Sequence, residues 1–170
     1  PGVREAVYAT QNKRIGVIGT RGTIESRAYE SQIKQLDPKI KVVSVACPLF
    51  VPFAEEGWLG GRVVLDVAKT YLKLLKDADV DTVILGCTHY PLLKPVIKEA
   101  LGGNVRLVDS AKQVAIEVKK ILTTEGLLNN SRKARRKFYV SDNPEWFNGL
   151  AKRFLGESLE KVKKVSPDNV

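Results

Sequence analysis

Two thiols, one imidazole and a pair of adjacent carboxylates hold most of the reactive chemistry in this sequence. The densest grouping is Gly86-Cys87-Thr88-His89-Tyr90-Pro91, which follows the apolar run Thr82-Val83-Ile84-Leu85. That run reads as a buried strand, and Pro91 suits the first turn of a helix. Cys87 therefore falls at a strand-to-helix turn, the carboxyl edge at which open α/β sheets bind ligands. A thiol facing a helix N-terminus is favoured as the thiolate, and His89, the only histidine in the chain, stands two positions away. Taken singly, Cys87 reads as a small buried hydrophobe and His89 as a loop residue. Together, beside the Thr88 hydroxyl, they read as a site for proton transfer or nucleophilic attack. Cys47, Cys87 and His89 lack the spacing of a zinc site. The turn also lacks the glycine two places after the nucleophile that marks a nucleophile elbow.

A second turn, Gly19-Thr20-Arg21-Gly22-Thr23, also separates a strand from a helix. Its backbone N–H groups and two hydroxyls suit a small carboxylate or simply a capped helix start. Neither the P-loop nor the dinucleotide-binding glycine pattern is present. Glu55-Glu56-Gly57 supplies a third feature. A carboxylate brought beside His89 would hold an imidazolium and tune a proton-transfer site.

The elements that must position these groups alternate strand and helix. Strands are predicted at 14–19, 40–46, 82–86, 105–109, 138–140 and 161–165, from short β-branched or apolar runs. A helix is expected over 24–36, ended by Asp37-Pro38, and residues 47–57 read as an irregular loop. Gly60-Gly61 opens a helix whose expected core face is Val63, Val64, Val67, Tyr71, Leu74 and Leu75. Another helix leads from Pro91 to Gly102. A further face comprises Ala111, Val114, Ala115, Val118, Ile121 and Leu122. The last helix, capped by Asp142 or Asn143 and stopped by Gly156, carries Trp146, Phe147, Leu150 and Phe154. Such alternation predicts an α/β fold, an open parallel sheet covered by helices. Residues 1–114 are expected to form one complete α/β domain. Residues 115–170, with two short strands and one helix, complete a second domain whose N-terminal part is supplied from elsewhere.

Composition narrows the class. With 44% hydrophobic and 28% charged residues the chain is an ordinary globular protein, without a membrane-length apolar run or a signal peptide. Two cysteines make no disulfide framework and read as free thiols in a reducing, cytoplasmic setting. The chain starts Pro1-Gly2 and contains no methionine, so it reads as part of a longer translation product. A net charge of +9 gathers around Lys119, Lys120, Arg132, Lys133, Arg135, Arg136 and Lys137. Without interleaved aromatic residues this cluster reads as a solvated connector rather than a nucleic-acid surface.

The blocks Ile15-Gly16-Val17-Ile18-Gly19-Thr20 with Gly22-Thr23, Cys47-Pro48-Leu49-Phe50-Val51-Pro52 with Glu55-Glu56-Gly57, Leu85 to Pro91, Val108-Asp109-Ser110 and Phe138 to Asp142 together resemble the glutamate racemases, in order, over residues 1–166. The resemblance implies interconversion of L- and D-glutamate without a cofactor or metal, supplying D-glutamate to peptidoglycan. It implies a cytoplasmic homodimer with glutamate as its small-molecule substrate. Each of two α/β domains would contribute one thiol. On this resemblance Cys87 is the thiol of the second domain, assisted by His89 and Glu56, with Thr88, Thr20 and Thr23 binding substrate. The first thiol has no counterpart in this sequence, so the chain alone is expected to be inactive, and Cys47 takes a core or loop role. Aspartate or broad amino-acid racemases, a cysteine hydrolase using Cys87 and His89, and a non-catalytic binding module are the alternatives.

Overall fold

In the computed structural model, which describes residues 1–129, 131 and 135–166, the chain forms two compact units, 1–127 and 128–170. The first contains β1 (Arg14–Gly19), β2 (Lys41–Ala46), β3 (Thr82–Leu85) and β4 (Arg106–Asp109), all parallel in the order β2-β1-β3-β4. β1 and β3 are buried along nearly their whole length, which explains their unbroken apolar sequence. From β1 the chain passes outward to β2, and from β3 it passes the other way to β4. The carboxyl ends of β1 and β3 therefore flank the topological switch point, the usual ligand crevice of such sheets.

Two apolar layers cover the sheet. One joins Val3 and Ala6 of α1 (Gly2–Ala9) and Ile33 of α3 (Ala28–Leu36) to Ile15, Val17, Ile84 and Val108. The other joins α4 (Phe50–Glu56), α5 (Arg62–Asp77) and α6 (Lys94–Leu101) to Ile18, Val83 and Leu85.

Several sequence expectations need correction. The helix expected over 24–36 is two helices, α2 (Arg21–Glu25) and α3, because Arg27 adopts a left-handed conformation with φ of 52°. The Ser26 hydroxyl stabilises the break, donating to the Thr23 carbonyl at 2.8 Å and accepting from the Ala28 N–H at 3.3 Å. The 47–57 loop contains α4, whose Phe50 and Ala54 are buried one turn apart and whose end is capped by left-handed Gly57. Pro52 does not prevent this helix because it lies in the first turn, where N–H groups have no intrahelical partner. On α5 the buried face is Val64, Ala68, Leu72 and Leu75, whereas Val63 and Leu74 are more than half exposed. The small Ala68 rotates the true stripe away from the one read from bulky residues. α7 (Ser110–Thr124) buries no residue, so its expected core face is not a core face in this unit.

In the second unit β5 (Phe138–Val140) pairs in parallel with β6 (Val162–Lys164), and α8 (Pro144–Leu155) connects them. Asn143, rather than Asp142, caps α8 through a bond from the Trp146 N–H, and Gly156 ends it with φ of 75°. Leu150 and Ala151 are the buried positions of α8, while Trp146 and Phe154 stay exposed. Lys119, Lys120, Arg135, Arg136 and Lys137 are exposed, and Arg132 and Lys133 lie outside the described residues. Among the described residues no helix is long and apolar enough to cross a membrane.

Candidate active site

β3 ends at Leu85, and Gly86 carries the chain over the sheet edge while its N–H donates to the Ile18 carbonyl at 2.7 Å. A glycine is required at this point. A Cβ at position 86 would come within 2.8 Å of the Ile18 carbonyl oxygen, 3.2 Å of the Tyr29 ring and 3.4 Å of the Thr23 methyl. The same contacts show that the turn carrying Thr23 packs directly against the turn carrying Cys87. Gly19 makes the reciprocal allowance, since a Cβ there would lie 2.9 Å from the Thr23 methyl. The two turns singled out in the sequence thus meet at the switch point.

Beyond Gly86, Cys87 is half-buried, Thr88 is exposed and His89 is half-buried. The Cys87 Sγ lies 3.8 Å from His89 Nδ1, and the Thr88 Oγ1 lies 3.4 Å from the same nitrogen. The opposite ring nitrogen, Nε2, is 3.2 Å from a Glu55 carboxylate oxygen. Carboxylate, imidazole and thiol therefore form one chain, in which Glu55 orients the ring and Nδ1 faces the sulfur. Such a chain can pass a proton between the thiol and the imidazole, with the carboxylate stabilising the imidazolium.

The resemblance gives the carboxylate role to Glu56. In this geometry the neighbour, Glu55, reaches His89, and Glu56 is exposed. The cause is the helical form of α4: adjacent residues point about 100° apart, so only one of the pair can face the imidazole. A loop reading of 47–57 offered no means of choosing between them.

The thiol also differs from expectation in its surroundings. The element that follows it is a short 3-10 turn (Tyr90–Leu93), and α6 begins only at Lys94. The side chain facing the Cys87 sulfur is thus His89, itself paired with Glu55, and no long helix starts at the thiol. Cys47 is fully buried, and burial pushes its thiol up to about 12, so it stays protonated.

On the β1 side, Thr20 caps α2, accepting from the Thr23 N–H at 3.4 Å, and its hydroxyl meets the Thr23 hydroxyl at 3.0 Å. Both side chains are half-buried at the crevice. On the β4 side, Asp109 accepts from the Ala111 and Lys112 N–H groups and pairs with Lys94 at 2.6 Å. Burial pushes its carboxyl up, but the Lys94 ammonium and the two amides outweigh this, and the net shift is downward. Ser110 donates to the Leu85 carbonyl at 3.4 Å, so the ends of β3 and β4 are tied together next to the Cys87 turn. Among the described residues no group of three or more His, Cys, Asp or Glu side chains is arranged to hold a metal ion.

Comparison with known proteins bears on the family and the fold. Residues 3–117 match the family described as Asp/Glu/Hydantoin racemase. A glutamate racemase of Geobacter metallireducens is 50% identical over 98% of the chain, which spans 62% of that protein. A glutamate racemase isoform of Bacillus anthracis superposes with a TM-score of 0.92 at 39% identity, over 98% of this chain and 62% of that one. The glutamate racemase of Francisella tularensis, solved in complex with D-glutamate, gives a TM-score of 0.91 at 37% identity, over 99% of this chain and 62% of that one. The chain thus spans less than two thirds of the length of the relatives it matches. A parallel sheet with a thiol, an imidazole and a carboxylate aligned at its switch point, and a family match over residues 3–117 that takes in all four of its strands, lead to one assignment: the chain belongs to the Asp/Glu/Hydantoin racemase family.

Proposed function

We propose that this chain forms the C-terminal two-thirds of a cofactor-independent glutamate racemase, with Cys87 as one of two thiols that exchange the substrate α-proton. The observation that supports it most is the Glu55–His89–Cys87 chain at the crevice between β1 and β3. Inverting a carbon centre requires a base on one face and an acid on the other. His89, held by Glu55, accepts the Cys87 proton or returns it, so the thiol can serve in either role. Thr88, Thr20 and Thr23 are the substrate-binding side chains of this reading, with hydroxyls suited to the carboxylate and ammonium of an amino acid.

The opposite face needs a second thiol. Cys47 is unsuited to it, being fully buried and held in its protonated form. The partner thiol is therefore supplied by a segment outside this chain, and the 170-residue chain alone is inactive. Residues 115–170 return to complete the domain that carries that thiol. The working protein is a cytoplasmic homodimer, and its D-glutamate enters peptidoglycan. The relatives' names favour glutamate over aspartate as substrate.

Chiral chromatography tests the substrate. A protein joining this sequence to the thiol-bearing segment should convert L-glutamate to the racemate and leave L-aspartate essentially unchanged. Faster conversion of aspartate would move the assignment to aspartate racemase. A thioester trapped on Cys87 would move it to a cysteine hydrolase.

A further inference from the structure

The ion pair between His89 and Glu55 joins two side chains that are 23% and 30% exposed. Pairs this open to solvent contribute little net stability of their own. Their alignment must come from the elements beneath them, and those elements meet at a single phenol. Tyr90, next to His89, is fully buried, and its hydroxyl donates to the backbone carbonyl oxygen of Cys47 at 2.9 Å. The same oxygen accepts from the Phe50 N–H at 3.1 Å, at the opening of α4. The Cys47 N–H is in turn held by the Gly19 carbonyl at 2.9 Å, at the end of β1.

The ring of Tyr90 meets the ring of Phe50 edge to face, with centroids 5.3 Å apart, and Phe50 meets Tyr71 of α5 in the same manner at 5.5 Å. On its other side the Tyr90 N–H donates to the Cys87 carbonyl at 3.3 Å. Tyr90 thus bonds to the turn that bears Cys87 and His89, and to the peptide unit from which the helix bearing Glu55 begins.

We propose that Tyr90 is a positioning residue for proton transfer: its hydroxyl bond to the Cys47 carbonyl sets the distance between His89 and Glu55 and so the aim of the imidazole at Cys87. This inference rests on the reading of Glu55, His89 and Cys87 as the proton-transfer chain. Burial, with the Cys47 and Cys87 thiols nearby, pushes the phenol's pKa upward, so it remains a donor at every working pH.

His89 is the only histidine in the sequence, so its imidazole resonances can be followed by nuclear magnetic resonance in the 170-residue chain labelled with nitrogen-15 histidine. Three variants decide the matter: Tyr90→Phe, which keeps the ring and removes the hydroxyl; Glu55→Gln; and Ile97→Val, a packing change in the same apolar cluster. Tyr90→Phe should displace the imidazole resonances in the direction of Glu55→Gln, and the double variant should move them no further than Glu55→Gln alone. Ile97→Val should lower the melting temperature without moving them. If Glu55→Gln moves the resonances and Tyr90→Phe does not, the positioning role is overturned while the proton-transfer chain stands. If Glu55→Gln itself has no effect, the chain and the reading built on it both fail. Equal displacement by Ile97→Val and Tyr90→Phe would reduce Tyr90 to a general stabilising residue.

Discussion

At the scale of single residues, thiol chemistry separates the two cysteines. Cys47 has no exposed surface and its proton is held by burial, whereas Cys87 is partly open at the crevice. Thiolates, not thiols, are alkylated. Iodoacetamide on the folded chain should therefore modify Cys87, and Cys47 should react only when the protein is unfolded; peptide mapping that finds Cys47 labelled first would reverse the roles of the two thiols. The carboxylates divide just as sharply. In a protein joining this sequence to the segment that bears the second thiol, Glu55→Gln should lower turnover by about 10²-fold or more, the usual contribution of a group that assists proton transfer. Glu56→Gln should stay within about twofold of the parent, because its side chain is exposed and the carboxylate that meets His89 is that of Glu55. Kinetics with the order reversed would return the role to Glu56.

At the scale of elements, the candidate-site turns depend on two glycines, Gly19 leaving space for Thr23 and Gly86 for the Ile18 carbonyl, rather than on unusual backbone angles. Gly86→Ala places a methyl group 2.8 Å from a backbone oxygen, which no rotamer change can relieve. A loss of about 1–3 kcal/mol in stability is expected, typical of overpacking, and urea melts will measure it. An unchanged midpoint would show that the β1 and β3 ends are less tightly apposed than this packing requires. β1 and β3 were legible in the sequence because parallel runs covered on both faces are apolar almost throughout, β2 through its β-branched alternation, and the Cys87 turn because it follows the fully buried β3. The helix α4 was not, since Pro52 and the preceding Cys47-Pro48 read as loop chemistry while only two buried residues, Phe50 and Ala54, mark its face. It is α4 that turns Glu55 rather than Glu56 toward His89. The break at Arg27 was equally hidden, because a non-glycine residue in the left-handed region has no reliable sequence signal.

At the scale of the whole chain, buried or bonded carboxylates set the response to pH. Burial pushes the Asp81 carboxyl up, but it accepts from the Asn12 N–H at 2.8 Å and the Gln11 N–H at 2.6 Å, and the net shift is downward. Asp109 behaves likewise, and Asp37 is lowered by Lys13 and the Lys39 N–H. A carboxyl whose pKa is lower folded than unfolded stabilises the fold above its unfolded value, and that stability is lost as pH falls through the folded value. Thermal stability should therefore decline as pH drops below about 4, the unfolded carboxyl range, and Asp81→Asn should flatten that decline. A melting temperature independent of pH between about 2 and 5 would contradict these bonds. The functional claim over the same scale is that one thiol of this chain handles the α-proton on one face of the substrate. Its most direct test is exchange of the α-hydrogen of L- and D-glutamate with deuterated solvent, each enantiomer measured separately, in a protein joining this sequence to the segment that bears the second thiol. The Cys87→Ser variant should fail to interconvert the enantiomers, since a serine hydroxyl is far too weak an acid to replace the thiol. Exchange and interconversion at the parent rate from both enantiomers would remove Cys87 from the reaction.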